Sequence, residues 1–458
     1  MILGLMSGEQ LASSWSETAR REVFYRNPTG KFPLGGLLSL QDTEESDKST
    51  FGWWEDRLVM PTGLTAAANA AGPFTESGNT TDQSDGFNLA AGGSFRVYMA
   101  STDNFRERDV IWIRNCPNAA ASAKLQIKGV VTDIDHDNDF VIVRALEAVT
   151  SISNAADAVG LTVFYIGSAA GEGVRSRTGS MTVPIEISNY TQITRTAFEF
   201  TRNAVKAGVR WDKEGVYKTK KRDAAVRHMI GLELMNLWGV RRVDTIVNEE
   251  GQSVPEKKCG GIEWFLKQYE LGNTGNGGVF DYRPGGSDIT SSTWTTTEEK
   301  RIIDVNGTLS VDEFELLVER AFKYNGDSSN EKLVLCGNGF ISRFNKVVRM
   351  QSLVTTMLNP KEESYGMSMT RWESPWGTLL FKTHPLFNEN AAFTNSAFIL
   401  DIGSMSQIPL TDSDTELLKN RQNNDFDGRK DEFLTECGLR LKYPERHMFI
   451  NNVTGVTA

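Results

Sequence analysis

The chain has 458 residues, of which 39% are hydrophobic and 24% are charged. These proportions are typical of globular proteins and exclude a disordered or fibrous chain, and the length predicts two to four domains. No run of about 18 apolar residues is present, so the sequence predicts no membrane span. Residues 1–6 lack the basic region of a secretory signal, which predicts synthesis and use in a cytoplasm. With 49 Lys and Arg against 59 Asp and Glu, the net charge of −10 argues against a general nucleic-acid binder.

Cysteines and histidines are few and scattered. No cysteine belongs to a C-x-x-C pair or adjoins a histidine, so the sequence predicts neither a disulfide framework nor a zinc site. Each histidine has a different sequence context, and no nucleophile, base and orienting group can be assembled from them. We therefore predict no metal, no cofactor and no enzyme activity. The residues concerned are Cys116, Cys259, Cys336, Cys437, His136, His228, His384 and His447.

The first 93 residues read as extended chain. Residues 1–60 contain turn formers and an acidic stretch but no sustained periodicity, which predicts an amino-terminal arm. This arm carries the aromatic run F-G-W-W at 51–54, and apolar anchors on an irregular segment predict contact with another surface of the same chain or of a neighbour. Residues 61–93 are rich in Ala, Gly, Asn and Thr and predict a further extended segment.

Residues 94–170 predict a small β domain. Four short apolar runs, at 110–113, 125–131, 140–143 and 163–166, are bounded by turn residues, which is typical of a small barrel or sandwich. Between the second and third runs, aspartates alternate from Asp133 to Asp139. A calcium loop of the EF-hand type would need Gly and Glu where Asn138 and Arg144 stand, so we favour a solvated hairpin turn.

Residues 182–200 predict a long β extension. Val183, Ile185 and Ile187 alternate with polar residues, and polar and β-branched residues continue the pattern to Thr196. An isolated β extension with polar side chains on both faces requires a partner surface for stability. This is the first indication of assembly.

Residues 213–240 predict one long helix. Apolar residues recur at helical spacing along two neighbouring lines, so its second half is apolar nearly all round. Its first half carries the basic cluster of the chain, for which we weigh contact with nucleic acid or an acidic neighbour against a solvated helix face. The cluster contains Lys213, Lys218, Lys220, Lys221, Arg222 and Arg227.

Residues 241–401 read as mixed α and β, and residues 402–458 as returning strands. The glycine-rich stretch 272–278 lacks the Lys-Ser/Thr pair of a phosphate loop and predicts a surface loop. Ser310 and Glu313 have the spacing of a capping box, and Phe314 and Leu317 start the apolar face of the helix that follows. Further strands are predicted at 333–336, 378–381, 397–400 and 439–443.

Several short elements in order resemble the major capsid proteins of tailed bacteriophages, which have the Hong Kong 97 phage-type fold. They include N-Y-T-Q-I at 189–193, K-K-R-D-A at 220–224, S-P-W-G-T-L at 374–379, H-P-L-F at 384–387 and L-T-E-C-G-L at 434–439. The resemblance runs from about residue 53 to the end of the chain and is closest to the branch with an N-Y-T-Q-I element before the long helix. Thr194 departs from it, because aromatic or apolar residues are common there.

The resemblance implies an α+β major capsid fold with a small all-β insertion at 94–170. In that fold, 171–212 would be an extension loop over a neighbouring subunit and 213–240 the spine helix of the peripheral domain. Residues 241–401 would be mainly the axial domain, with peripheral strands, and 402–458 the returning peripheral strands. The chain would assemble into hexamers and pentamers of an icosahedral shell that encloses double-stranded DNA.

The resemblance also implies partners and contact residues. The protein partners would be copies of the chain itself, a portal, a scaffolding protein and, in some shells, a cement protein. Packaged DNA would be bound by weak non-specific contact. The location would be a virion capsid that is assembled in the host cytoplasm, with no membrane as a partner. Some relatives cross-link an extension-loop lysine; Lys206 lies in that region, but the sequence supplies no acceptor. We expect contacts between subunits at Trp53, Trp54, Tyr190, Gln192 and Arg195, and DNA-facing positions at Lys218, Lys220, Lys221 and Arg222.

Two other classes of structural protein compete with a capsid. A phage tail or tube protein would be mostly β, and a receptor- or carbohydrate-binding module would rest on the β region alone. The long helix argues against both.

Overall fold

The computed structural model forms two compact units, which we treat separately: residues 1–55 with 185–458, and residues 56–184. The residues described are 33–38, 41, 44–56, 62–66, 72–76, 87–118, 120, 124–152, 158–168, 170, 172–173, 184–206, 216–271, 295, 299–324, 330–350, 359–364, 367–425 and 427–457. The glycine-rich stretch 272–278 and residues 213–215 of the predicted helix lie outside them.

The inserted unit is a β barrel. Its main sheet has the order β2-β10-β6-β7-β8-β5-β3, and β4 pairs with β9 beside it. A bridge between Thr65 and Met99 joins the end of β2 to the end of β5, so these two strands close the barrel. The strands are β2 (Thr62–Leu64), β3 (Phe74–Glu76), β4 (Phe87–Leu89), β5 (Ser94–Tyr98), β6 (Asp109–Cys116), β7 (Leu125–Asp135), β8 (Phe140–Ala145), β9 (Val149–Ile152) and β10 (Thr162–Ser168).

The barrel includes chain that the sequence assigned to the extended segment 61–93. β2, β3 and β4 come from that segment, and runs of three residues are too short to show a periodicity. The predicted turn between β7 and β8 is confirmed as a hairpin: Asp135 accepts hydrogen bonds from the backbone of Asp137 and Asn138, and Asp139 has a φ of 53°.

The larger unit contains the remaining elements. Its helices are α1 (Pro33–Leu38), α2 (Arg202–Lys206), α3 (Val216–Trp238), α4 (Ile262–Leu271), α5 (Val311–Phe322), α6 (Asn338–Met350) and α7 (Pro385–Glu389). Its strands are β1 (Thr50–Glu55), β11 (Ile185–Tyr190), β12 (Gln192–Thr201), β13 (Arg242–Val247), β14 (Ser253–Lys258), β15 (Ile302–Ser310), β16 (Glu331–Cys336), β17 (Asn359–Ser364), β18 (Met367–Glu373), β19 (Thr378–Thr383), β20 (Ala397–Leu400), β21 (Met405–Pro409), β22 (Glu416–Leu418), β23 (Gly428–Leu441) and β24 (Met448–Thr457).

A seven-stranded mixed sheet with the order β15-β24-β20-β16-β19-β18-β17 separates two hydrophobic cores. Along β16, Leu333 and Leu335 point into one core, and Val334 and Cys336 into the other. The second core also receives the apolar faces of α5 and α6. β24, from the segment predicted to return to the peripheral domain, lies between β15 and β20 of this sheet.

A second sheet, with the order β12-β23-β21 and β22 beside β23, supports the long helix α3. β12 pairs with β23 over ten residues, from Gln192 opposite Cys437 to Thr201 opposite Gly428. This part of 171–212 is therefore a strand of the chain's own sheet, and its position over a neighbouring subunit stays a prediction. β11 turns away at Thr191 and pairs with β1, so residues 185–201 form two strands rather than one.

The helices in the described part of the chain include none that is both long and apolar enough to cross a membrane. The predicted capping box at the start of α5 is confirmed, because the Ser310 side chain accepts from Glu313 N–H and the Glu313 side chain accepts from Ser310 N–H.

Candidate assembly site

The N-Y-T-Q-I element forms a buried polar junction within the chain. Asn189 is fully buried, and its Nδ2 donates to Leu439 O at 2.7 Å and to Gly260 O at 3.0 Å. Its Oδ1 accepts from Gly260 N–H at 2.9 Å and from Tyr190 N–H. One side chain thus joins β11, the turn after β14, and β23, which are up to 250 residues apart in sequence. Sequence reasoning missed this role; the only signal was an asparagine inside a strand, where it is disfavoured.

The structure gives most of the predicted contact residues partners in their own chain. Trp53 is only 6% exposed and its Nε1 donates to Glu55 at 2.9 Å, so it packs in the chain's own core, and its contact with a neighbour stays a prediction. The Tyr190 ring lies 4.4 Å from the Arg241 guanidinium, and Gln192 Oε1 accepts from Cys259 N–H at 3.0 Å. Trp54 on β1, 67% exposed, and the exposed Arg195 on β12 stay predictions.

A groove runs along the free edge of β12. Among the described strands, β12 pairs only with β23, so its other edge lines an open space of about 1180 Å³. α3 forms its floor through Gly231, Leu234, Met235 and Trp238, and the β13–β14 hairpin forms the opposite wall. We call this space the edge groove; it is lined by residues 49, 191–193, 195, 231, 234, 235, 238–240, 246, 248, 254–258 and 436.

The two walls of the edge groove differ in their capacity to pair with another strand. β14 contains Pro255, which has no backbone N–H and interrupts pairing on an exposed edge. β12 contains no proline, and its Ile193 side chain is 54% exposed. A long, unblocked edge strand with an exposed apolar residue is a site for the addition of an extended segment.

The long helix exposes apolar residues and buries polar ones. Met229 and Leu234 are 38% and 40% exposed, while His228, Glu233 and Asn236 are buried. The sequence predicted that the second half of α3 is apolar nearly all round, and this prediction did not distinguish its buried residues from its exposed ones. The buried side of α3 also holds Leu232, Met235 and Leu237, and its outer side also holds exposed basic residues, so Met229 and Leu234 form a small apolar patch that suits contact with another surface.

The β13–β14 hairpin also presents apolar residues to solvent. Val243, Ile246 and Val247 are 44%, 46% and 67% exposed, and they lie on both faces of this two-stranded ribbon. A two-stranded ribbon alone is marginally stable. An outside contact would add the burial free energy that the ribbon lacks.

The basic half of α3 is partly neutralised inside the chain. Lys220 Nζ lies 3.3 Å from Asp223 Oδ2, while Lys218 and Arg222 are exposed and Lys221 is half-buried. The neighbouring Tyr217 hydroxyl donates to Asp431 and its ring lies under Arg429, so this tyrosine serves the chain's own packing.

The thiols and imidazoles serve packing. All four cysteines are buried and none forms a disulfide, and burial raises the pKa of Cys259 to about 11, which keeps the thiol protonated and unreactive. Burial lowers the pKa of His228, which lies between the hydroxyls of Thr196 and Thr435 at 3.1 and 2.7 Å. Within the described residues, no group of three His, Cys, Asp or Glu side chains could hold a metal.

The edge strand β12, the exposed Met229 and Leu234 on α3 and the apolar β13–β14 ribbon are the surfaces of the larger unit that suit contact with another macromolecule. The sequence comparison gives the family: the chain matches the SU10 major capsid proteins over residues 13–454 and belongs to that family. It is a phage major capsid protein, and this finding favours a capsid over a tail tube protein or a receptor-binding module.

Individual relatives are distant. The major capsid protein of Pseudomonas phage PaMx41 is 22% identical over 387 residues, which cover 83% of this chain and 75% of that protein. Among solved structures, the SrpI encapsulin of Synechococcus elongatus PCC 7942 is 10% identical, with a TM-score of 0.37 over 60% of this chain and 80% of that one. The capsid of Cyanophage P-SCSP1u is 8% identical, with a TM-score of 0.35 over 63% and 80%.

Proposed function

We propose that this chain self-assembles into hexamers and pentamers of an icosahedral shell that encloses double-stranded DNA, and that it has no enzyme activity. The family match over residues 13–454 carries this proposal. In terms of the Hong Kong 97 phage-type fold, α3 would be the spine helix and the β12-β23-β21 sheet beneath it would belong to the peripheral domain. The seven-stranded sheet would belong mainly to the axial domain. Portal, scaffolding and cement proteins would be further partners, and assembly would occur in the host cytoplasm.

We propose further that the edge groove is a subunit interface whose occupant is an extended segment of a second copy of this chain. The free edge of β12, the blocked edge of β14 and the apolar floor from α3 support this proposal. In a shell built from one protein, a second copy is the neighbour that every subunit meets.

Electron microscopy and size-exclusion chromatography of the purified protein test the shell, with expression alone and together with its neighbouring genes. Closed shells or capsomer-sized rings are expected. A monomer under every condition, including with a scaffolding partner, contradicts the proposal.

Ile193→Asp tests the edge groove. The charge should prevent burial of β12 against a neighbour and abolish assembly, while the melting temperature of the subunit stays unchanged because the wild-type side chain is half exposed. Ile166→Asp is the matched control, since Ile166 on β10 is 52% exposed and lies outside the groove. If Ile193→Asp assembles as well as wild type, the groove is not an interface.

Lys218 and Arg222 stay predicted DNA-facing residues. If they face the interior, reversal of both charges should reduce packaging of DNA while empty shells still form, because phosphate contacts are weak and independent of sequence. Lys220→Glu, next to Asp223, should have a smaller effect since its charge is already partly compensated. Loss of empty shells in the double variant would instead indicate contact with a neighbouring subunit.

A further inference from the structure

A carboxylate buried in the larger unit holds the root of the amino-terminal arm. Glu233 lies on α3 and is 1% exposed. Its Oε1 accepts from Leu34 N–H at 3.0 Å, and its Oε2 accepts from Gly35 N–H at 2.7 Å. These two N–H groups belong to the first turn of α1, where a helix has no internal acceptors for its donors. Glu233 therefore caps α1 although it lies 199 residues away from Leu34 in the sequence.

A histidine completes the carboxylate's set of donors. His384 Nε2 lies 2.9 Å from Glu233 Oε1, and its Nδ1 accepts from Leu386 N–H at 3.2 Å. Because Nδ1 is an acceptor, the proton of a neutral imidazole is on Nε2, which donates to Glu233. His384 is itself the residue that caps α7. The arm, the long helix and the turn after β19 thus meet at one carboxylate.

α1, which is the root of the amino-terminal arm, has a small residue beside the Glu233 carboxylate and apolar residues that anchor it there. A Cβ added to Gly35 would lie 3.1 Å from Glu233 Oε2, so a larger residue would crowd the carboxylate. Leu34, Leu37 and Leu38 are fully buried in the first core, which holds α1 in place beside Glu233. The hydrogen bonds fix the direction of α1, while the leucines supply most of its burial free energy.

We propose that Glu233 is a positioning residue that fixes where the amino-terminal arm leaves the subunit, and that assembly depends on it. This inference rests on the proposed shell function and on the prediction from sequence that the amino-terminal arm contacts another surface of the same chain or of a neighbour. A carboxylate that accepts three hydrogen bonds orients α1 without adding to the apolar core. Its loss should therefore affect assembly more than folding.

Glu233→Gln tests the proposal, because an amide has one oxygen and cannot accept from both N–H groups with its nitrogen turned toward one of them. Hydrogen exchange followed by mass spectrometry should show the amides of residues 34–38 exchanging at least tenfold faster, with the peptides of α5 and α6 unchanged. Assembly should be reduced at least tenfold. Glu263→Gln is the matched control, since Glu263 on α4 pairs with Lys267 at the surface.

Gly35→Ala provides a second variant that leaves Glu233 in place, and it should accelerate exchange in the same peptides through crowding. Unchanged exchange at residues 34–38 in both variants overturns the positioning role, whatever happens to assembly. Faster exchange with wild-type assembly overturns the dependence of assembly on Glu233. If wild-type protein itself never assembles, the shell function is contradicted, and the exchange data still decide the role of Glu233 at the arm root.

Discussion

The inserted barrel and the larger unit are held together in different ways. The barrel pairs strands that are mostly close in sequence, and its core is a single apolar cluster. The larger unit pairs Gln192 with Cys437 and ties distant elements through buried polar side chains such as Asn189, Glu233 and His228. The barrel is thus a local hydrophobic fold, whereas the larger unit depends on polar junctions with specified geometry. The larger unit also carries the edge groove, so the part with distant pairings is the part that we expect to meet neighbours.

Asn189→Ala should have the largest effect, and on the larger unit alone. The substitution removes the partners of Gly260 N–H, Gly260 O and Leu439 O, which are buried at the junction. Gly260 N–H and Leu439 O would be left unsatisfied and Gly260 O would keep only the weak thiol donor of Cys259, which together should lower the free energy of unfolding by about 5 kcal/mol. Denaturant unfolding, with hydrogen exchange to separate the units, measures this. Asn104→Ala is the control, because Asn104 Nδ2 donates to Thr62 O at the surface of the barrel. A loss no greater than that of the control would show that the junction contributes little.

Phe95→Ala should destabilise the barrel and leave the larger unit unchanged. Phe95 is fully buried and its ring lies 6.2 Å from that of Phe74, so truncation leaves a cavity that costs about 4 kcal/mol. Leu146→Ala, at a half-exposed site of the same unit, should cost less than about 1 kcal/mol. Protection of amides in β7 and β8 should fall, with those in α3 unchanged. If α3 loses protection equally, the two units unfold together.

His447 should make the larger unit sensitive to acid. Burial lowers the pKa of His447 to about 3, so between pH 6.5 and 3 the unfolded chain binds a proton that the folded chain does not. Stability should therefore fall as the pH falls through that window, by about 1.4 kcal/mol per pH unit from this residue. His447→Gln should reduce the slope by that amount in urea unfolding measured at several pH values. Equal slopes in wild type and His447→Gln would contradict the assignment.

The same contrast explains how far the sequence could be interpreted. The apolar runs of β6, β7, β8 and β10 predicted a small β domain, because each run carries its own alternation and turn signals. The three-residue strands β2, β3 and β4 are too short to show such a pattern. In the larger unit, no local pattern indicates that Asn189 meets Leu439 or that Glu233 meets Leu34, because those partners are set by tertiary packing. Trp53 and Trp54 adjoin in sequence, yet the alternation of β1 buries the first and exposes the second, and a composition argument cannot tell them apart.

Ser310→Ala should have the smallest effect, and it tests a feature that is wholly local. The Ser310 hydroxyl accepts from Glu313 N–H at 3.2 Å, so alanine removes one cap hydrogen bond of α5 and should cost about 1 kcal/mol. The loss is small because the buried residues of α5, among them Phe314 and Leu317, still pack into the second core. Equilibrium unfolding of Ser310→Ala and of Ser310→Thr measures this. Because threonine keeps a hydroxyl, the difference between the two variants isolates the contribution of the cap hydrogen bond. A loss as large as that of Asn189→Ala would mean that a local cap stabilises the larger unit as strongly as the junction at Asn189 does. The larger unit would then not depend on contacts between distant residues, and the contrast with the barrel would be lost.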